Sequence, residues 1–360
     1  MNVQVEKYGG SSFKERKDYR ELARRYKARM QEQAGAKWVV VVSAFPGLTE
    51  EFRALSKEVN PDPEFEATDA LLPLADCISA VLLRHACDAE GVKATTLLGY
   101  QHGIITDSNF SRARILRLDP TALEQALQDY DVVVVPGGPA IDTRGRPTWL
   151  GKNSSDLTAV AMAAALKLPR CSIYSDVDGV YTADPNQIAD AKPMAGVSYE
   201  MAIGMSESGA KVIHHKAVRF AQQHDIKIEC RLNRPPYSAG TCIGEPGSDT
   251  AVVSDLRSQV FLMPAREQLD HACEVLQALD IPIVALSLED AHYCVVPGGF
   301  IQLEPIFRQN GIPCDRSDKN LLTVVTPDGQ MRHQVVPSAL LVETAVAEAQ
   351  KLAAAHRSAP

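Results

Sequence analysis

The sequence predicts an α/β fold: a three-layer arrangement in which helices cover both faces of a mostly parallel central sheet, followed by a small α+β unit. Three observations predict it. Up to about residue 245, short continuous β-branched runs alternate with helical patterns, which is how strands buried on both faces read. Four of these strands end in glycine or small polar residues. Beyond Pro235-Pro236-Tyr237-Ser238-Ala239-Gly240 the order becomes β-α-β-β-α-β, a split βαβ sandwich. The expected division is therefore 1–245 and 246–360.

Each element follows in order. The opening strand, with Val3 and Val5 alternating, runs into Lys7-Tyr8-Gly9-Gly10-Ser11-Ser12, and a helix follows over 14–33. Lys37–Ser43 reads as a buried strand, 66–89 as a helix, and Asp131–Gly138 as a strand closing on two glycines. The alanine-rich stretch 156–167 is a strong helix former, with Ser155 or Asp156 as its cap. Cys171–Asp176 and Ile226–Cys230 are further strands. In the second unit the strands are Val260–Met263, Ile283–Leu288, Tyr293–Val296 and Leu321–Val325, with helices over Arg266–Leu279 and Phe300–Asn310. A last helix, Leu340–Ala355, precedes a frayed tail, His356–Pro360.

Composition narrows the classes. The 360 residues are 45% hydrophobic and 23% charged, an ordinary soluble composition with length for two domains. A net charge of −8 argues against a nucleic-acid surface. No apolar run reaches the roughly 20 residues of a membrane helix, and the polar-alternating start is not a secretory signal. Eight scattered cysteines form no Cys-x-x-Cys pair, so neither zinc nor dithiol chemistry is expected, and reduced thiols in a cytoplasm are.

The strand ends carry the chemistry. Paired glycines let backbone amides approach an anion, and Lys7 adds a compact cation. Ser43 and Thr49 flank a glycine turn, and Gly137-Gly138 end another strand. Leu150-Gly151-Lys152-Asn153-Ser154-Ser155-Asp156 opens the alanine-rich helix, whose dipole favours a negative group there. Asp156 reads both as a cap and as a carboxylate holding Lys7. Ser175–Pro185 lacks the terminal glutamate of a calcium loop. Gly209-Ala210-Lys211 brings a second lysine, and His214-His215 diverge on a helix, so no metal is expected. Two lysines and glycine turns with few carboxylates suit phosphoryl transfer.

This ordered set resembles the amino-acid kinase family, and within it the aspartokinases. Lys-Tyr-Gly-Gly-Ser-Ser is similar to Lys-Phe-Gly-Gly-Thr-Ser, and Ser43–Thr49 to Ser-Ala-x-x-Gly-x-Thr. Gly99–Asp107 resembles Gly-Trp-Gln-Ala-Gly-Ile-x-Thr-Asp, and Ser175–Pro185 resembles Thr-Asp-Val-Asp-Gly-Val-Tyr-Thr-Ala-Asp-Pro almost letter for letter. Ser198-Tyr199-Glu200 and Gly209–His214 match Ser-Tyr-Glu-Glu and Gly-Ala-Lys-Val-Leu-His. The match spans about residues 3 to 245.

The resemblance implies that Lys7, Gly9, Gly10 and Lys211 surround the transferring phosphate, with Ser11 in the same turn. It implies that Ser175, Asp176, Tyr181 and Asp184 belong to the nucleotide site, that Asp156 orients the lysines, and that Ser43, Thr49, Asp76, Gly138, Lys152 and Ser155 belong to the acceptor side. ATP and Mg²⁺ are the implied cofactors, with no metal-ligand residues assigned. The family's C-terminal part carries two ACT modules; the roughly 110 residues here suffice for one plus a helix. That module reads as an effector site, a dimerisation surface or a structural remnant, and a homodimer is expected.

Departures cluster at the acceptor side. Ala75-Asp76 replaces Gly-Glu, so the acid is a methylene shorter. Gly151–Asp156 replaces Gly-Arg-Gly-Gly-Ser-Asp, and Lys152 lacks the arginine fork. Gly138 stands where an aromatic is usual, and Asn186 where arginine is. The leading expectation is an ATP-dependent kinase acting on the carboxylate of aspartate or a close analogue. The alternatives are a specialised secondary-pathway kinase for another small amino or hydroxy acid, and a catalytically silent amino-acid or nucleotide sensor.

Overall fold

A computed structural model describes residues 2–358, apart from 212, 280, 289–290 and 300–302. By packing, the chain forms two units: Met1–Gly179 with Lys216–Gly244, and Val180–His215 with Glu245–Pro360.

The first unit is built on the expected sheet. In spatial order its strands are Ala239–Ile243, Lys227–Leu232, Arg170–Ser175, Asn2–Tyr8, Ala36–Val42, Val132–Pro136 and Ala94–Thr96. Neighbours are parallel except for the Lys227–Leu232 and Ala239–Ile243 pair. Val39–Val42 and Val132–Val135 have no exposed surface, each contributing about 1.5–3 kcal/mol of burial. Period-2 alternation sorts the opening strand: Tyr8 joins Trp38, Val40 and Val42 in the core with helices Lys17–Glu32 and Leu74–Glu90. Lys7 points the other way, to Asp156 in helix Ser155–Ala165. The chain builds one half of the sheet outward from Asn2–Tyr8, then returns to its other side with Arg170–Ser175. That places a topological switch point between these two strands, where open parallel sheets bind ligands.

Two expectations need correction here, and one sheet is added. The helix expected over 66–89 is two helices, Phe65–Leu71 and Leu74–Glu90. Pro73 lies at the break; it has no N–H to continue the ladder. Neither Ser155 nor Asp156 caps the alanine-rich helix: the cap position is Ser154, and no side chain accepts a bond there. Four short strands, Ile115–Leu118, Ile104–Thr106, Pro139–Asp142 and Pro147–Trp149, form a subsidiary sheet that the sequence does not announce.

In the second unit, Val284–Leu288, Ala291–Val296, Gln259–Met263 and Asp315–Arg316 form an antiparallel sheet in that order, with helices Arg266–Ala278 and Glu304–Gln309. This is the expected split βαβ order, but its last strand is Asp315–Arg316. Leu321–Val325 belongs to a different sheet, within Lys319–Val325, which pairs with Ala251–Asp255 and Met331–Pro337. A short turn joins it to Met331–Pro337, so closing that hairpin costs little chain entropy. Helix Leu341–Ser358 packs Leu341 and Ala345 against Val252, Leu322 and Val336. The start of the helix expected from Phe300 lies outside the described residues, as does Ala359-Pro360 of the tail. Phe65–Glu90 is the one stretch among the described residues apolar and long enough to cross a membrane by composition. Half of its most apolar segment is buried in the molecule, and the stretch carries the buried acids Asp69 and Asp76.

Candidate active site

Parallel pairing brings the strand ends of the first unit side by side. Lys7 is in register with Ile173 and Val41, and Tyr8 with Tyr174 and Val42. The ladder continues into the loops: Ser43 N donates to Tyr8 O at 3.1 Å, and Gly137 N to Val42 O at 2.9 Å. Gly9-Gly10, Ser43-Ala44 and Gly137-Gly138 therefore line one rim.

Lys7 is the cation of this rim. Its Nζ lies 2.7 Å from Asp156 Oδ1, both side chains about nine-tenths buried. A Cβ at Gly9 would stand 3.2 Å from that Nζ, and one at Gly10 3.2 Å from Ala44 O. The glycines keep the ammonium and the adjoining amides accessible to an anion. Asp156 sits in the first turn of helix Ser155–Ala165, whose positive end faces the same rim.

The residues expected on the acceptor side gather here in part. Ser43 Oγ donates to Ser155 Oγ at 2.7 Å. Asp76 is buried and accepts Ala44 N at 2.8 Å. Burial pushes its carboxyl up to about 7, against the lowering effects of its backbone hydrogen bonds and of nearby Lys7. Gly138 has φ +111°, donates its N–H to Thr158 Oγ1 at 2.9 Å, and has Trp149 Nε1 and Ser154 Oγ within 2.8 Å of any added Cβ. Thus the Trp149 indole lies directly against Gly138, the position where an aromatic is usual. Thr49 is half-buried in the first turn of helix Leu48–Val59. Lys152 is exposed and ion-paired with Glu50 at 3.0 Å.

Of the residues expected at the nucleotide, Ser175 turns its hydroxyl into its own loop, donating to Val177 O at 2.7 Å, and Asp176 is exposed. Two residues escaped the sequence reading. Asn233 N donates to Ser175 O at 2.7 Å, while its Nδ2 donates to Ser11 Oγ at 3.2 Å and Ser12 Oγ at 3.1 Å. Asn233 immediately follows strand Lys227–Leu232, which runs two residues past its expected end at Cys230. Asp69, an acid within an apolar helix, accepts Ser111 N and Trp149 N, each at 2.8 Å. Burial pushes its carboxyl up to about 6.

The remaining candidates lie in the second unit. Tyr181 is half-buried in a two-residue ladder with Pro193. Asp184 closes its own turn, accepting Asn186 N at 2.9 Å and Gln187 Nε2 at 3.0 Å. Lys211 is exposed, and its charge lowers the carboxyl of Asp255, although burial leaves that carboxyl raised overall. Among the described residues, no group of three or more His, Cys, Asp or Glu could cage a metal.

Comparisons with known proteins agree with this architecture. The model of the amino acid kinase family matches residues 2–231. The aspartokinase of Thermus thermophilus is 36% identical over 285 residues, 78% of this chain and 70% of that one. That of Geobacillus stearothermophilus is 36% identical over 231 residues, 64% of this chain and 56% of its own length. E. coli aspartokinase III, in complex with aspartate and ADP (R-state), has a similar fold: TM-score 0.68 at 20% identity, covering 91% of this chain and 88% of that one.

Proposed function

The chain belongs to the amino acid kinase family, in its aspartokinase branch, and from that footing we propose that it transfers the γ-phosphate of ATP to the side-chain carboxylate of aspartate, yielding an acyl phosphate and ADP. The observation that carries this reading is the Lys7–Asp156 pair, held between two glycines and a helix N-terminus at the sheet's switch point. A fixed ammonium there meets the charge that builds on the transferring phosphoryl group. The carboxylate nucleophile is already ionised at neutral pH, so no general base is required. Its oxygen forms the new P–O bond as the bond to the ADP oxygen breaks.

In this scheme Lys7 and Lys211 act on the phosphates and Asp156 orients Lys7. Gly9, Gly10, Ser11, Ser175, Asp176, Tyr181 and Asp184 serve the nucleotide. Ser43, Thr49, Gly138 and Ser155 serve the acceptor, with Asp76 receiving its ammonium and Lys152 exchanging Glu50 for its carboxylate. If magnesium enters with the nucleotide it would neutralise phosphate charge there, and no carboxylate of this chain is assigned to hold it. The exposed apolar stripe Leu74, Ile78 and Leu82 on one helix face supports a homodimer, and the cytoplasm is the compartment proposed.

ADP release measured against a panel of amino and hydroxy acids tests the reading. Aspartate should turn over, and Lys7→Met should lower kcat by about 10²–10³-fold. Turnover of another acid in place of aspartate would favour the specialised kinase, which the shortened Asp76 and the forkless Lys152 motivate. Ligand binding without any turnover would favour the sensor.

A further inference from the structure

Beneath the rim, three tyrosines distant in sequence converge on one guanidinium. Tyr8 immediately precedes Gly9-Gly10, and Tyr174 immediately precedes Ser175-Asp176. Their rings stack with centroids 4.6 Å apart and planes 3° from parallel, as their register in adjacent strands allows. Tyr237 meets Tyr174 edge-on at 6.3 Å. It lies in the turn between strands Lys227–Leu232 and Ala239–Ile243, the turn whose Asn233 grips Ser11, Ser12 and Ser175.

Arg25, from helix Lys17–Glu32, joins all three. Its Nη1 donates to the Tyr8 hydroxyl and its Nη2 to the Tyr174 hydroxyl at 2.9 Å. Its guanidinium lies 3.7 Å from the Tyr237 ring centroid. Glu6 accepts from Arg29 at 2.7 Å, from Tyr26 at 2.7 Å and from the Tyr8 hydroxyl at 3.1 Å, so Tyr8 links Arg25 to that carboxylate while Arg25 itself donates to the two phenols. Tyr237 also has φ +58°, a left-handed backbone that an aromatic residue rarely adopts and that its surroundings must hold.

Building on the reading above, we propose that Arg25 is a positioning residue for the nucleotide: through Tyr8, Tyr174 and Tyr237 it sets the spacing of three loops, Gly9-Gly10, Ser175-Asp176 and the turn from Asn233 to Tyr237. A planar, forked cation suits this task, since it donates to two phenols while stacking on a third ring.

The test is ADP affinity by calorimetry, which needs no acceptor and stays readable whatever acid the protein phosphorylates. Arg25→Met should weaken ADP binding and raise KM for ATP about tenfold, with KM for the acceptor unchanged, since slightly misplaced loops are costly to a bound ligand. Arg25→Lys, keeping the charge without the fork, should not restore affinity. Tyr237→Leu alters only a half-exposed turn and covers the case in which Arg25→Met does not fold; it should weaken ADP binding several-fold. ADP affinity at the wild-type level in Arg25→Met or Tyr237→Leu, or full recovery in Arg25→Lys, overturns the proposal. ADP affinity that falls in these variants while the wild type ignores every acceptor would instead leave the positioning role standing and remove the kinase.

Discussion

At the scale of residues, two buried charges govern what the rim can do. Lys7 and Asp156 are each other's partner out of water, and removing one side of such a pair costs about 3–5 kcal/mol. The stability loss of Lys7→Met must therefore be measured beside its kcat, and Lys7→Met/Asp156→Asn should recover stability without recovering turnover. Asp76 gives a pH signature. Its carboxyl, raised to about 7 by burial, keeps a proton that the unfolded chain loses from about pH 4 upward. The folded state binds more protons across that window, so its contribution to stability is largest at low pH and declines as pH rises from about 4 to about 7. Asp76→Asn should flatten that part of a stability–pH curve. Binding the acceptor's ammonium needs the ionised form, so KM for the acceptor should rise as pH falls below about 7 while KM for ATP changes little. A KM for the acceptor that is flat from pH 8 to 6 would remove Asp76 from that role. Lys7, the glycines and Asp156 were legible because strand-end chemistry is local in sequence. The Asn233 grip and the tyrosines around Arg25 were not, since Asn233, Arg25 and Tyr237 stand outside any glycine turn or helix-start motif and meet their partners through side-chain contacts between elements.

At the scale of elements, close approach sets the tolerances. A Cβ at Gly137 would lie 2.3 Å from Ser155 Cβ and 2.8 Å from Ser155 Cα. Gly137→Ala must push the start of helix Ser155–Ala165 off the strand end. We expect a loss of about 1–3 kcal/mol in urea unfolding, together with reduced activity, because Asp156 rides on that helix turn. Leu341 is fully buried against the three-stranded sheet, and Leu341→Ala should cost about 2–5 kcal/mol by the same measurement. The central parallel strands were readable from their apolar runs, within a residue or two at their ends, whereas the three-residue edge strand Ala94–Thr96 is too short to show a pattern. Asp315–Arg316 was not: two exposed charged residues carry no strand signature, and the apolar run at Leu321–Val325 looked like the better fourth strand. Pro73 was visible in the sequence and should have divided the helix.

At the scale of the whole molecule, surface character decides assembly. A net charge of −8 keeps copies apart at long range, yet Leu74, Ile78 and Leu82, 46%, 40% and 37% exposed, recur every four residues along one helix. Ile78→Glu should convert the proposed dimer to monomer in light scattering; a wild type that is already monomeric at micromolar concentration sinks that assembly. The interleaving of the two units carries a further consequence. The chain leaves the first unit after Gly179, returns at Lys216, and departs again after Gly244. During translation, Ala183 and Ile188 emerge long before Val252, Leu322 and Val336, the residues that will shelter them. A premature stop just past Gly244 would therefore release not a tidy half but a protein with a bare, adhesive arm, a ready target for chaperones and proteases.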